Sequence, residues 1–236
     1  MKKFSLNLIL TLGIISIIGQ VFAGCNVGVN KSIHIRDGET VNHGPKTVNG
    51  SISIGNNCTI SGNCDTVNGR IKVGDNCEVR SLHTVNLGVS VGNHTVVDGS
   101  IVTVNGSITC GEEVKVDDDV TTVNGSIHCG KGVSIQGSVS NVNGDHTLIA
   151  ALVKGDLKTN TGDITLQDNS IVEGDIIIRR SRSFFNRQRH LDIRISGNSE
   201  VKGDIIVEDD DLKVKVFLSS GGKVLGKITD AEVVNE

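Results

Sequence analysis

Large aromatic side chains are almost missing from this chain. Its 236 residues include no Trp, no Tyr and five Phe, and Phe4 and Phe22 fall within the first 24 positions. A core anchored on aromatics is therefore excluded, and Val, Ile, Leu and Cys must fill the interior. Proline is limited to one residue against 29 Gly. The charge balance is nearly even, 23 Lys+Arg against 27 Asp+Glu for a formal net charge of -4, which gives no global attraction to nucleic acid. No Cys-x-x-Cys or Cys/His spacing suits zinc. The sequence also lacks a phosphate-cradling glycine loop, a Ser/His/Asp set and a convincing carboxylate pair. It thus presents no catalytic residue, no metal ligand set and no cofactor site.

The first residues read as an export signal. Lys2 and Lys3 are followed by an apolar run over residues 6–18, then by Val21-Phe22-Ala23 with small residues at cleavage positions. The run is too short for a comfortable membrane span. Cleavage after Ala23 would leave residues 24–236 as one mature domain. The alternative is a lipobox, Phe22-Ala23-Gly24-Cys25, in which Cys25 carries lipid and gives peripheral membrane attachment.

What the chain has in abundance is one hexapeptide. Thr-Val-Asn-Gly-Ser-Ile begins at Thr47, Thr103 and Thr122, with variants at Thr66, Thr84 and, more worn, Asn141. These starts are spaced by 19, 18, 19, 19 and 19 residues. So short a period means one supersecondary unit stacked many times. Counted from each Thr as position zero, small apolar residues recur at positions one, five, seven, eleven, thirteen and seventeen. Spacings of two mark one face of a strand; spacings of four mark a strand broken by a corner. Three corners result: the Asn-Gly, the glycine of Gly55, Gly74, Gly92, Gly111 and Gly130, and a polar pair such as Ser61-Gly62 or Asp117-Asp118.

Asn-Gly is ordinarily a hairpin signal. Three hairpin turns per period, however, would reverse the chain at every repeat, so equivalent residues could not take equivalent places. Three corners bending one way instead return the chain to its start, with successive coils in parallel about 4.8 Å apart. The expected fold is all-β, a single-stranded parallel β-helix with a triangular coil of about 19 residues, expected to be right-handed. In this reading Val and Ile point inward, Thr and Ser point outward, and Asn and Gly turn the corner. Upstream, Ile33-x-Ile35 keeps the 19-residue register. Downstream the marker becomes Val-x-Gly-Asp at Val153 and Val172, then at Val201, 29 residues on, with a last echo at Val224. About ten coils, roughly 48 Å of stack, are expected.

The extra ten or so residues before Val201 form an inserted loop at about residues 179–194. Six of the nine Arg lie there, and the candidate binding loop comprises Arg179, Arg180, Arg182, Phe184, Phe185, Arg187, Arg189 and Arg194. Arg forks suit phosphate and carboxylate, and exposed Phe suits a partner or a membrane surface. The bland alternative is a solvated excursion whose Phe pair caps the local core.

The Asn column of Asn30, Asn49, Asn68, Asn86, Asn105, Asn124 and Asn143 is expected to be a structural amide ladder. Cys58 and Cys77 are vertical neighbours, as are Cys110 and Cys129, and export permits oxidation. Disulfides in these two pairs and buried free thiols are both open readings.

Thr-Val-Asn-Gly-Ser-Ile at this interval after an export signal resembles a family of uncharacterised exported repeat proteins of Gram-negative bacteria, and the insertion is similar to that family's. The Val-x-Gly-Asp units less closely resemble bactofilins, polymer-forming cytoskeletal β-helix proteins. The first resemblance implies a β-helix in the cell envelope and no established activity. The expected function is a non-enzymatic periplasmic or envelope scaffold or adhesin-like binding module, with a polysaccharide-active β-helix enzyme as the alternative. Expected partners are an envelope polysaccharide or another envelope protein, or further copies stacked end to end, and not nucleic acid.

Overall fold

A computed structural model describes residues 27–180 and 189–236, which form short strands and no helix. The strands belong to three parallel sheets of 11, 11 and 10 strands, each sheet taking every third strand in chain order. The first runs from Val27–Gly28 to Ile228–Thr229, the second from Ile33–Ile35 to Glu232–Asn235, and the third from Thr40–Val41 to Lys223–Val224. The protein is a β-solenoid, as the repeat period requires.

Register follows the repeat. Ile33 faces Ile52, Ile52 faces Ile71, and Val153, Val172, Val201 and Val224 pair in succession. The 18-residue coil and the insertion therefore change corners without shifting the pleat, because a one-residue slip would turn the apolar face outward.

Five of the six apolar columns lie inside. Ile52, Ile54, Cys58, Ile60 and Cys64 are all 2% exposed or less, and their equivalents in later coils are buried too until the last coil, where Val224 and Ile228 are half-buried. The column at position one is a correction. Val48, Val67, Val85, Val104 and Val123 are only half-buried, whereas Thr47, Thr66, Thr84, Thr103 and Thr122 are 0% exposed. The hydroxyl explains the reversal. Each of these Thr Oγ1 groups donates to a main-chain carbonyl of the preceding coil: Thr66 to Gly50, Thr84 to Gly69, Thr103 to Leu87 and Thr122 to Gly106, at 2.7–2.9 Å. The threonine is satisfied in the interior and holds the corner at once.

Side chains tie coil to coil at the corners. The Asn column is an amide ladder, each Nδ2 donating to the Oδ1 one coil earlier from Asn49→Asn30 to Asn143→Asn124. The aspartate of Val-x-Gly-Asp does similar work, since Asp156, Asp175 and Asp204 accept the N–H of Asp175, Asp204 and Lys227 at 3.0, 2.8 and 2.7 Å. At the second corner the positive φ belongs to position ten, for example Asn57 at 56° and His94 at 53°, not to the glycine. That glycine serves close approach: a Cβ on Gly74 would stand 2.5 Å from Gly55 O.

Candidate functional site

The insertion leaves the first sheet after Ile176–Ile178 and returns as the strand Arg189–Ile195 of the second. Arg182, Phe184, Phe185 and Arg187 lie outside the described residues, as do Cys25 and the residues expected to form an export signal. The expected loop thus ends sooner than residue 194. Arg189 and Arg194 are in a seven-residue strand, paired along its whole length with Leu212–Leu218. Alternation explains the extension, because Leu191, Ile193 and Ile195 on one strand and Leu212, Val214 and Val216 on the other are all buried.

The opposite face of this ribbon carries His190, Asp192 and Arg194 beside Lys213, Lys215 and Phe217. The Arg194 guanidinium sits over the Phe217 ring, 5.2 Å from its centroid, and reaches Asp192 Oδ2. Arg180, exposed, lies 3.4 Å from Asp210 Oδ2, and its carbonyl accepts Asn160 Nδ2 at 3.1 Å. Arg179 is half-buried. The structure brings Arg194, Lys213, Lys215 and Phe217 together, a group in which the last three were not foreseen; their alternation in Leu-Lys-Val-Lys-Val-Phe-Leu was the available signal.

The four cysteines considered for disulfides are buried thiols, and so is Cys64. Cys110 and Cys129 are direct Cα partners in parallel strands. Parallel side chains on adjacent rungs keep Cβ atoms near the strand spacing of about 4.8 Å, beyond the 3.5–4.5 Å of a disulfide. Cys58 and Cys77 are engaged otherwise: their Sγ atoms donate to the carbonyls of Arg36 and Gly55 at 3.0 and 3.1 Å. Thr95 Oγ1 makes the same bond to Gly74 in the next coil. Burial pushes the Cys64 and Cys77 thiols up, and a hydrogen bond with Cys110 together with burial raises Cys129.

Two polar clusters were also missed. On the first sheet Asp65, 1% exposed, is held between Lys46 and His83, each 2.9 Å away on the neighbouring coils. Burial opposes its ionisation, but the hydrogen bonds from His83 and Lys46 outweigh it and hold the carboxyl below its usual range. Inside the solenoid, His146 occupies the column of Ile127 and Ile164 at 0% exposure. Neither ring nitrogen has a hydrogen-bond partner, and the Oδ1 atoms of buried Asn141 and Asn160 also lack one. Burial lowers the imidazole pKa to about 4, only weakly opposed by the nearby Lys158 main chain.

A cavity of about 330 Å³ opens on the outer surface where the coil that begins at Thr84 meets its two neighbours, lined by Arg70, Leu87, Ser90, Asn105, Ser107 and Thr109 around Gly88. Among the described residues no group of three His, Cys, Asp or Glu side chains could hold a metal ion. No protein-family model matches the chain, and no curated protein or solved structure matches it either.

Proposed function

We propose that this chain is a non-enzymatic β-solenoid scaffold of the cell envelope that binds an anionic envelope partner at its insertion. The observation that carries the reading is the seven-rung ribbon of Arg189–Ile195 and Leu212–Leu218, which outgrows the two- to four-residue strands elsewhere. It presents Arg194, Lys213 and Lys215 on one face, next to the Arg-rich segment. Lys213 and Lys215 on one strand and Arg194 on the next, the last two also meeting Glu232 and Asp192, suit the phosphate or carboxylate groups of an envelope polysaccharide. The ladders along the corners supply the stiffness a scaffold needs, and the lysine-led apolar start of the chain supports export.

The test is retention of the full chain on an immobilised phosphorylated envelope polysaccharide, compared with a variant carrying Arg194→Ala, Lys213→Ala and Lys215→Ala. Elution of the variant at clearly lower salt is expected, because each lost contact removes a salt-sensitive attraction. Identical elution would sink the binding role.

A further inference from the structure

Two successive coils break a rule that the coils on either side keep. At position four, a side chain of each coil accepts the main-chain N–H of the next. Ser51 N–H donates to Ser32 Oγ at 3.1 Å and Arg70 N–H to Ser51 Oγ at 3.2 Å. Further down, Ser126 N–H donates to Ser107 Oγ and Asp145 N–H to Ser126 Oγ. Two aspartates then take over, with Asp163 N–H on Asp145 Oδ1 and Asp192 N–H on Asp163 Oδ1, both at 2.9 Å. Between these runs the column reads Arg70 and Gly88, and neither side chain can accept a hydrogen bond. The N–H groups of Gly88 and Ser107 therefore have no partner among the described residues.

The gap is the cavity of about 330 Å³ already located, at the lower end of the ~300–1,000 Å³ of small-ligand sites. Residue 88 must stay glycine and so cannot supply the acceptor itself, since a Cβ there would stand 2.4 Å from Ser107 O and 3.4 Å from Ser107 N. Leu87 borders the cavity in a position where neighbouring coils have glycine. It takes a positive φ of 155°, as Gly144 and Gly162 of the same column do at 123° and 124°, and is 46% exposed. A non-glycine residue held in glycine geometry costs on the order of 1–3 kcal/mol, and such strain collects at functional sites.

We propose that this notch binds the carboxylate of an acidic sugar. The ligand oxygen replaces the missing side-chain acceptor of residue 88 and takes the Ser107 N–H, as Asp145 and Asp163 do within the protein. Arg70, which has no ion-pair partner among the described residues, supplies the planar fork that matches a carboxylate. Ser90, Ser107 and Thr109 hydroxyls and the Asn105 amide surround the cavity and suit ring hydroxyls, while Leu87 offers an apolar contact to the C–H face. A sugar is favoured over an acidic peptide because the strands here are already paired above and below, leaving no edge on which a peptide main chain could add.

The experiment titrates the full chain with a galacturonate trimer, a neutral galactose trimer and an Asp-rich peptide, followed by calorimetry and amide shifts of residues 88 and 107. Expected are saturable uronate binding, at least tenfold weaker binding of the neutral sugar, and shifts confined to the notch. Arg70→Ser restores the acceptor column, so it should fold and lose at least tenfold in affinity. Arg70→Lys keeps the charge without the fork and should lose several-fold. Leu87→Gly should weaken binding while raising thermal stability. Arg194→Ala should leave uronate binding unchanged, which separates this site from the insertion. Equal binding by parent and a folded Arg70→Ser variant would overturn the proposal. So would binding of the neutral sugar as tightly as the acidic one, or of the peptide alone.

Discussion

Thr122 Oγ1 donates to the Gly106 carbonyl at 2.9 Å across the boundary between two coils, from a side chain that is 0% exposed. The residue is interior because its hydroxyl has a fixed acceptor, and the acceptor is satisfied because the hydroxyl is interior. Thr122→Val keeps the shape and removes the donor. A loss of roughly 1–3 kcal/mol is expected, the cost of a buried unpaired carbonyl, against a smaller loss for Thr122→Ser. Urea unfolding of the three proteins measures it.

His146 makes stability depend on pH. Its folded pKa is about 4 against 6.5 for an ordinary histidine, so the unfolded chain takes the proton first. The folded state is unpenalised above about pH 6.5 and loses stability as pH falls towards 4. Two to three units correspond to on the order of 3 kcal/mol. Inward-facing neighbours on the adjoining strands of its sheet are Ile127, Cys129, Ile164 and Leu166, so no carboxylate on those strands shares the interior. His146→Ile, matching its column, should flatten the midpoint-versus-pH curve between 4 and 6.5. An unaltered curve would refute the assignment.

The thiols should be silent. Cys58, Cys64, Cys77, Cys110 and Cys129 are all 3% exposed or less. An impermeant thiol reagent should leave these five unlabelled in the folded chain and label them in guanidinium, as counted by mass. Replacing Cys110 by Val, the residue at Val91 in the same column, should cost under roughly 1.5 kcal/mol.

Asp65 should behave as a buried acceptor. Asp65→Asn removes the charge facing Lys46 and His83 and should cost roughly 1–3 kcal/mol at pH 7. Because its folded pKa lies below 3.8, its contribution is present above that value and disappears as pH falls through the folded pKa. Thermal melts of parent and Asp65→Asn should therefore converge in strong acid and separate above pH 4.

Coil length, sheet type and register were legible because a period of 18–19 with three same-sense corners leaves the chain no other consistent path. The Asn ladder was legible too, since identical amides at one spacing meet on adjacent rungs. The inward side of Thr-Val was not. Hydropathy ranks Val above Thr, and only the position of the Gly106 carbonyl reverses their order. The end of the inserted loop was hidden for a related reason: Leu191 and Ile193 extend a strand only because Val214 and Val216 lie beside them.

Each coil's outline is thus written in its own nineteen residues, since corners and alternation are local. The open N–H groups of Gly88 and Ser107, the unpartnered His146 and the cationic face beside Phe217 depend on which side chain stands one coil away. That neighbour is about nineteen residues distant along the chain and about 4.8 Å distant in space, and stacking alone makes the two meet.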